Sequence, residues 1–275
     1  MFARVIYITL FVIAALILGY TSYMWHYHDE EFEYAALALV PLIPAVSVYV
    51  LSPQINWWWY TKQRTPKVDE KLRVLLEARL PFYQRLSAED KEKFTVRVTL
   101  FIMAKNFVGK VHKEVPEDMK AVIAASAVQL TFGYEEDWLF DEYEQYIIYP
   151  HPFPTPQYEA WHITEHFAED GVILFSAEHL LHGFFEPHRY YQIALHEFAN
   201  VYLEKHGHSG LPNYGETAWT DFAKISTFTE RKLKAYIGLD NVRPEAVGLT
   251  LFFTHRQRFA QVLPQAFEKL QRKFG

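Results

Sequence analysis

The chain has 275 residues, half of them hydrophobic and 17% aromatic, which suits one domain of about 200 residues plus an accessory segment and argues against disorder. A net charge of −6 and a pI near 6.1, with no long basic stripe, exclude a general nucleic-acid binder. Cysteine is absent, which removes disulfides, thiolate chemistry and cysteine-ligated zinc, so any metal would rest on His, Asp or Glu.

The run from Val5 to Trp25 carries no formal charge and matches the ~20 residues a spanning helix needs. A signal peptide would have a shorter apolar core and a small-residue cleavage site, whereas Tyr23, Met24, Trp25 and Tyr27 suit an interfacial belt. Ala35 to Leu51 is a second apolar run, interrupted by Pro41 and Pro44, that reads as a spanning or re-entrant segment or as a buried helix. The acidic stretch Asp29-Glu30-Glu31 joins the two runs, while Arg4, Lys62, Arg64 and Lys67 lie outside the pair. The positive-inside rule then puts both ends in the cytoplasm, with Trp57-Trp58-Trp59-Tyr60 where the chain leaves the bilayer. The expectation is a membrane anchor over 1–60 in a bacterial inner membrane and a cytosolic domain over 61–275.

Lys67 to Ala78 reads as a helix, broken at Leu80-Pro81-Phe82-Tyr83. Ser87 with Asp90 three residues on opens a helix to about Phe107, and Pro116-Glu117-Asp118 opens another to about Leu130. Tyr146–Tyr149 and Val172–Phe175 read as short strands. A helix from about His188 to His206 stops at Gly207, and further helices are expected over Thr217–Tyr236, Pro244–Phe253 and about Phe259–Phe274. Few strands among many helices point to an α+β domain.

The segment Ala194-Leu195-His196-Glu197-Phe198-Ala199-Asn200 is a zinc-peptidase motif with one ligand replaced. H-E-x-x-H puts two imidazoles one helical turn apart, with a carboxylate to act on metal-bound water. His196 and Glu197 are present, but Asn200 stands at the second histidine, and an amide is a poor zinc ligand. Ile193, Ala194, Phe198, Ala199 and Val201 surround the pair, so a buried Glu197 needs a partner.

The segments Leu80–Glu89, Ala160-Trp161-His162, Ile147-Ile148-Tyr149-Pro150 and Leu195–Ala199 resemble those of the Mlc titration factor A (MtfA) zinc peptidases, over about Leu80 to Phe274. The resemblance implies a mostly helical, zincin-like α+β metallopeptidase domain, here preceded by one or two transmembrane helices. It also implies binding of a glucose-related transcriptional repressor together with weak aminopeptidase activity. Members take two zinc ligands and the general base from H-E-F-A-H, and a third ligand from a glutamate in a downstream helix. On that pattern His196 matches the first ligand, Glu197 the base and Asn200 the second ligand. Thr250, within Ala246–Thr254, falls at the third, and the family's aspartate after the second ligand becomes Leu203.

His206, His208 and His255 have no spacing that recommends them as replacement ligands, and Glu204 reads as solvated. His162 is a candidate to line the cleft, or else to bond a neighbouring loop while Trp161 packs. His179, His182 and His188 flank the motif helix without ligand spacing, and Tyr190-Tyr191 reads as core. The leading expectation is a membrane-anchored pseudopeptidase with no zinc, serving as a binding or accessory subunit beside a protein partner and the lipid bilayer, without nucleic acid. The alternatives are an active zinc aminopeptidase with rearranged ligands, and a membrane-tethered regulator that binds a transcription factor.

Overall fold

The structure, a computed structural model, describes residues 66–111, 114–133 and 138–275, together with the isolated Gly19. The apolar runs Val5–Trp25 and Ala35–Leu51 lie outside the described residues. Among the described residues no helix is long and apolar enough to cross a membrane.

The unit Pro66–Gly275 begins with α1 (Glu70–Arg79), capped by the Asp69 carboxylate on the amide of Lys71, and the one-turn α2 (Pro81–Gln84). In α3 (Ala88–Ala104) Ser87 closes the expected box with Asp90: its Oγ accepts from the Asp90 amide at 3.1 Å and donates to the Asp90 carboxylate at 2.8 Å. This helix ends at Ala104 rather than Phe107, because Asn106–Gly109 forms β1, a strand absent from the sequence reading. The alanine-rich α4 (Glu117–Thr131) is buried nearly all round, as a central helix must be.

Three more strands follow: β2 (Gln145–Tyr149), β3 (Thr164–Phe167) and β4 (Val172–Ser176). They form a four-stranded sheet in the order β1-β2-β4-β3. β1, β2 and β4 are parallel; β3 turns back to lie antiparallel to β4 at the edge, pairing Thr164 with Phe175 and His166 with Ile173. Period-two geometry places Thr164 and His166 on one face of that edge strand.

α5 (Ala177–Phe185) leaves β4 directly and leads to α6 (Ile193–His206), the motif helix. α6 starts five residues later than the sequence suggested, since Glu186–Tyr190 forms a turn in which Arg189 and Tyr190 donate to the Glu186 carbonyl. The helix expected over Thr217–Tyr236 is two helices, α7 (Ala218–Ile225) and α8 (Glu230–Ile237), with Thr229 capping the second. α9 (Pro244–Thr254) follows the expected bounds. The last helix is also divided, into α10 (Arg256–Val262) and α11 (Pro264–Phe274), because Pro264 supplies no amide to continue α10.

α6 packs against α4, α9 and β3, so ten of its residues are buried. Phe198 anchors it: its ring lies 4.9 Å from that of Phe140 and about 6 Å from those of Phe101 and Tyr146. Burial of that side chain contributes about 3 kcal/mol and fixes which face of α6 meets the sheet.

Candidate functional site

The start of α6 is held from two sides. Gln192 precedes the first turn; its side-chain carbonyl accepts from the Leu195 amide at 2.6 Å while its amide donates to Ser126 of α4 at 3.0 Å. Across from it, Gly183 of α5 lies where a Cβ would collide with the Tyr191 carbonyl oxygen and come within 2.9 Å of the Gln192 Cα. Only glycine lets α5 approach this closely.

His196 and Glu197 then fall on the buried side of α6, only 2% and 3% exposed. The Nδ1 of His196 bonds the Tyr191 hydroxyl at 2.9 Å, so Tyr191, read from sequence as core, is both core and the orienting partner of this imidazole. Burial lowers the His196 pKa to about 4, which leaves the ring neutral near pH 7.

Glu197 faces β3, and both of its oxygens are engaged. Thr164 donates its hydroxyl to Oε2 at 3.0 Å, and His166 donates Nδ1–H to Oε1 at 2.5 Å. The other ring nitrogen of His166 donates to Glu204 at 2.8 Å, and Glu204 in turn accepts from Arg243 at 2.7 Å. A histidine that donates from both nitrogens is an imidazolium. Burial alone would push its pKa down, but the hydrogen bonds and charges of Glu197 and Glu204 raise it to about 9. Burial likewise pushes Glu197 up, yet the hydrogen bond and charge of His166 bring it below the usual carboxylate value. The result is a cation held between two carboxylates about two turns apart on one helix face, closed by Arg243 at the mouth of α9.

These groups line a cavity of about 170 Å³ that takes in His166, His196, Glu197, Asn200, Glu204 and Arg243. Asn200, at the expected second-ligand position, does line it, with its Oδ1 buried and unpartnered among the described residues. Thr250, at the expected third-ligand position, is fully buried, donates to the Ala246 carbonyl at 2.8 Å and lies beside Tyr191. It does not line the cavity.

The zinc that H-E-x-x-H would imply does not fit this donor set. Among the described residues, the strong donors left unengaged at the cavity are the His196 imidazole and one oxygen of Glu165, whose other oxygen bonds His162 at 3.1 Å. The Asn200 amide oxygen is a weak third, while Glu197 is committed to Thr164 and His166 and Thr250 to a carbonyl. Catalytic zinc takes three protein ligands of histidine or carboxylate type. Among the described residues, no three His, Cys, Asp or Glu side chains are arranged to hold a metal ion.

His162 lies outside the cavity lining, fully buried, with Nδ1 donating to the Ala160 carbonyl at 2.8 Å and Nε2 bonded to Glu165 at 3.1 Å. Trp161 is 68% exposed and so does not pack as anticipated. His208 lies 3.7 Å from Glu245, His206 stacks on Tyr202, and His255 rests against His188. None of the three histidines lines the cavity. Glu204 is not simply solvated but belongs to the bridge. His166 was missed, and its partners lie 31 and 38 residues downstream, beyond the reach of any local spacing rule.

Replacing Thr164 by valine keeps the shape of β3 and strips one donor from a buried carboxylate. Unfolding in denaturant is expected to show a loss of about 2 kcal/mol.

The sequence profile of the family described as glucose-regulated metallo-peptidase M90 matches residues 55–275. The chain is also similar to an uncharacterized protein of Synechocystis sp., slr2042, at 24% identity over 147 residues. That match takes in 53% of this chain and 44% of the relative, so the chain spans under half the relative's length.

Proposed function

Since the chain belongs to the glucose-regulated metallo-peptidase M90 family, we propose that it keeps the family's peptidase scaffold and works by binding rather than by zinc hydrolysis. One observation carries this reading: the carboxylate at the catalytic-base position is tied on both oxygens, to Thr164 and to the His166 imidazolium. A general base needs a lone pair directed at the group it deprotonates. Each oxygen of Glu197 already accepts an internal bond, and the His166 imidazolium lowers its pKa and so weakens it as a base, while Asn200 and Thr250 stand where family ligands are expected. The uncharged run Val5–Trp25 and the flanking basic residues support anchoring in a bacterial inner membrane with the domain on the cytosolic side. In that setting the domain serves as a binding or accessory subunit for a protein partner.

A second reading has one observation in its favour: His166, from a different element, reaches the same cavity as His196. An active peptidase with rearranged ligands would need His166 to leave Glu197 and turn toward His196. Assays of detergent-purified chain on aminoacyl-nitroanilide substrates separate the two. The binding reading predicts no hydrolysis above that of the Glu197→Gln variant, with or without added zinc. Hydrolysis that disappears with phenanthroline and in Glu197→Gln would establish the rearranged peptidase instead.

A further inference from the structure

A second cavity, of about 550 Å³, shares no lining residue with the one around Glu197. It is within the size range of small-molecule sites. Four separate stretches of chain converge on it: Arg85 at the end of α2, His188 between α5 and α6, Thr227 between α7 and α8, and His255, Arg256 and Arg258 where α9 passes into α10. Among the described residues no aspartate or glutamate lines it. Among the described residues neither Arg85 nor Arg258 makes an ion pair, in a chain whose net charge is −6.

Three guanidinium groups and two imidazoles therefore face one space with no counter-charge among the described residues that line it. Their proximity registers on His255 and Arg256. Burial, then the neighbouring His188 and Arg258, lower the pKa of His255 to about 4. Arg256 is lowered by burial and by Arg85. The two rings of His188 and His255 meet edge to face at 5.2 Å. Arg256 is also held in place: its guanidinium lies 4.9 Å from the ring centres of both Phe252 and Phe267 and bonds Gln271. A rigid planar donor flanked by two flexible ones suits recognition of a tetrahedral oxyanion, to which arginine offers paired N–H groups.

We propose that this cavity binds a phosphate-bearing ligand, with Arg85, Arg256 and Arg258 as its anion contacts and Thr227 as a neutral donor. The volume exceeds that of phosphate alone, so the ligand carries a further polar or apolar body that fills the remainder beside Pro81 and Phe253. A soluble phosphomonoester and the headgroup of an anionic lipid share this chemistry.

Calorimetric titration of the detergent-purified full chain tests the site with two probes: inorganic phosphate, and short-chain phosphatidic acid below its micellar concentration. Chloride at matched ionic strength serves as the reference. Binding of either probe, weakened at least about tenfold in the Arg85→Ala, Arg258→Ala double variant, upholds the site. Preference between the two names the source of the phosphate. Because Arg85 and Arg258 are exposed, the double variant should unfold at the wild-type temperature, and Lys224→Ala should bind as the wild type does. Absence of binding by both probes, or binding that the double variant retains in full, overturns the proposal.

Discussion

The variant His166→Leu is expected to lose about 4 kcal/mol of stability, the cost of leaving a buried carboxylate without its partner. Glu197 is 3% exposed and would keep only the Thr164 hydroxyl, while Glu204 would keep Arg243. Adding Glu197→Gln to His166→Leu should recover more than half of the loss, since an amide needs no counter-charge. Urea unfolding of the detergent-purified chain, followed by tryptophan fluorescence, measures both. A loss under about 1 kcal/mol in His166→Leu would mean that the bridge is a surface-like contact. The same pair sets a pH dependence. His166 is raised from 6.5 to about 9, so its contribution is whole below pH 6.5 and is lost as the pH rises through 9. Glu197 is lowered from 4.5, so its contribution is whole above that value and is lost on acidification. Wild-type stability should therefore fall between pH 6.5 and 9, and His166→Leu should flatten that slope.

Gly238→Ala is expected to cost about 3 kcal/mol. Gly238 ends α8 with φ +86°, a conformation that costs an L-residue about 1–2 kcal/mol. The added Cβ would also collide with the Trp161 carbonyl oxygen and come within 2.7 Å of the His162 Cα, and backbone cannot yield as a side-chain tip can. The segment it pushes leads straight into β3, where the Ile163 amide donates to the Ile237 carbonyl at 3.0 Å. Displacing it moves Thr164 and His166 away from Glu197. Gly238→Ala should thus lower the melting temperature and also remove much of the additional penalty of His166→Leu when the two are combined. Full additivity would show that the loop and the bridge are independent.

Local chemistry made much of the domain legible. Ser87 with Asp90, Pro116 at a helix start, Gly207 at a helix end and Pro244 at the opening of α9 each act within one turn. The site's core, His196 and Glu197 on a buried helix, was legible for the same reason. What escaped was non-local. β3 has four residues, and the face it turns to α6 is polar because Thr164 and His166 serve Glu197, so no apolar alternation marks it. β1 exists through its pairing with β2 nearly forty residues on, and Phe107 reads equally well as the end of a helix. The splits at Ser226 and Leu263 have weak local punctuation on one side only, Thr229 and Pro264 respectively. Glu204 looked solvated because neither His166 nor Arg243 is near it in sequence.

Zinc content per chain is the measurement closest to the central claim, that Glu197 is held by a histidine cation and not by a metal site. Elemental analysis of detergent-purified protein, dialysed against trace zinc, should give substoichiometric metal in the wild type and no change in His196→Ala. The Asn200→His, Thr250→Glu variant, which restores the two side chains that the family pattern expects, should take up more. Stoichiometric zinc in the wild type would contradict the account, and its loss in both His196→Ala and His166→Leu would establish a metal centre built from the two histidines.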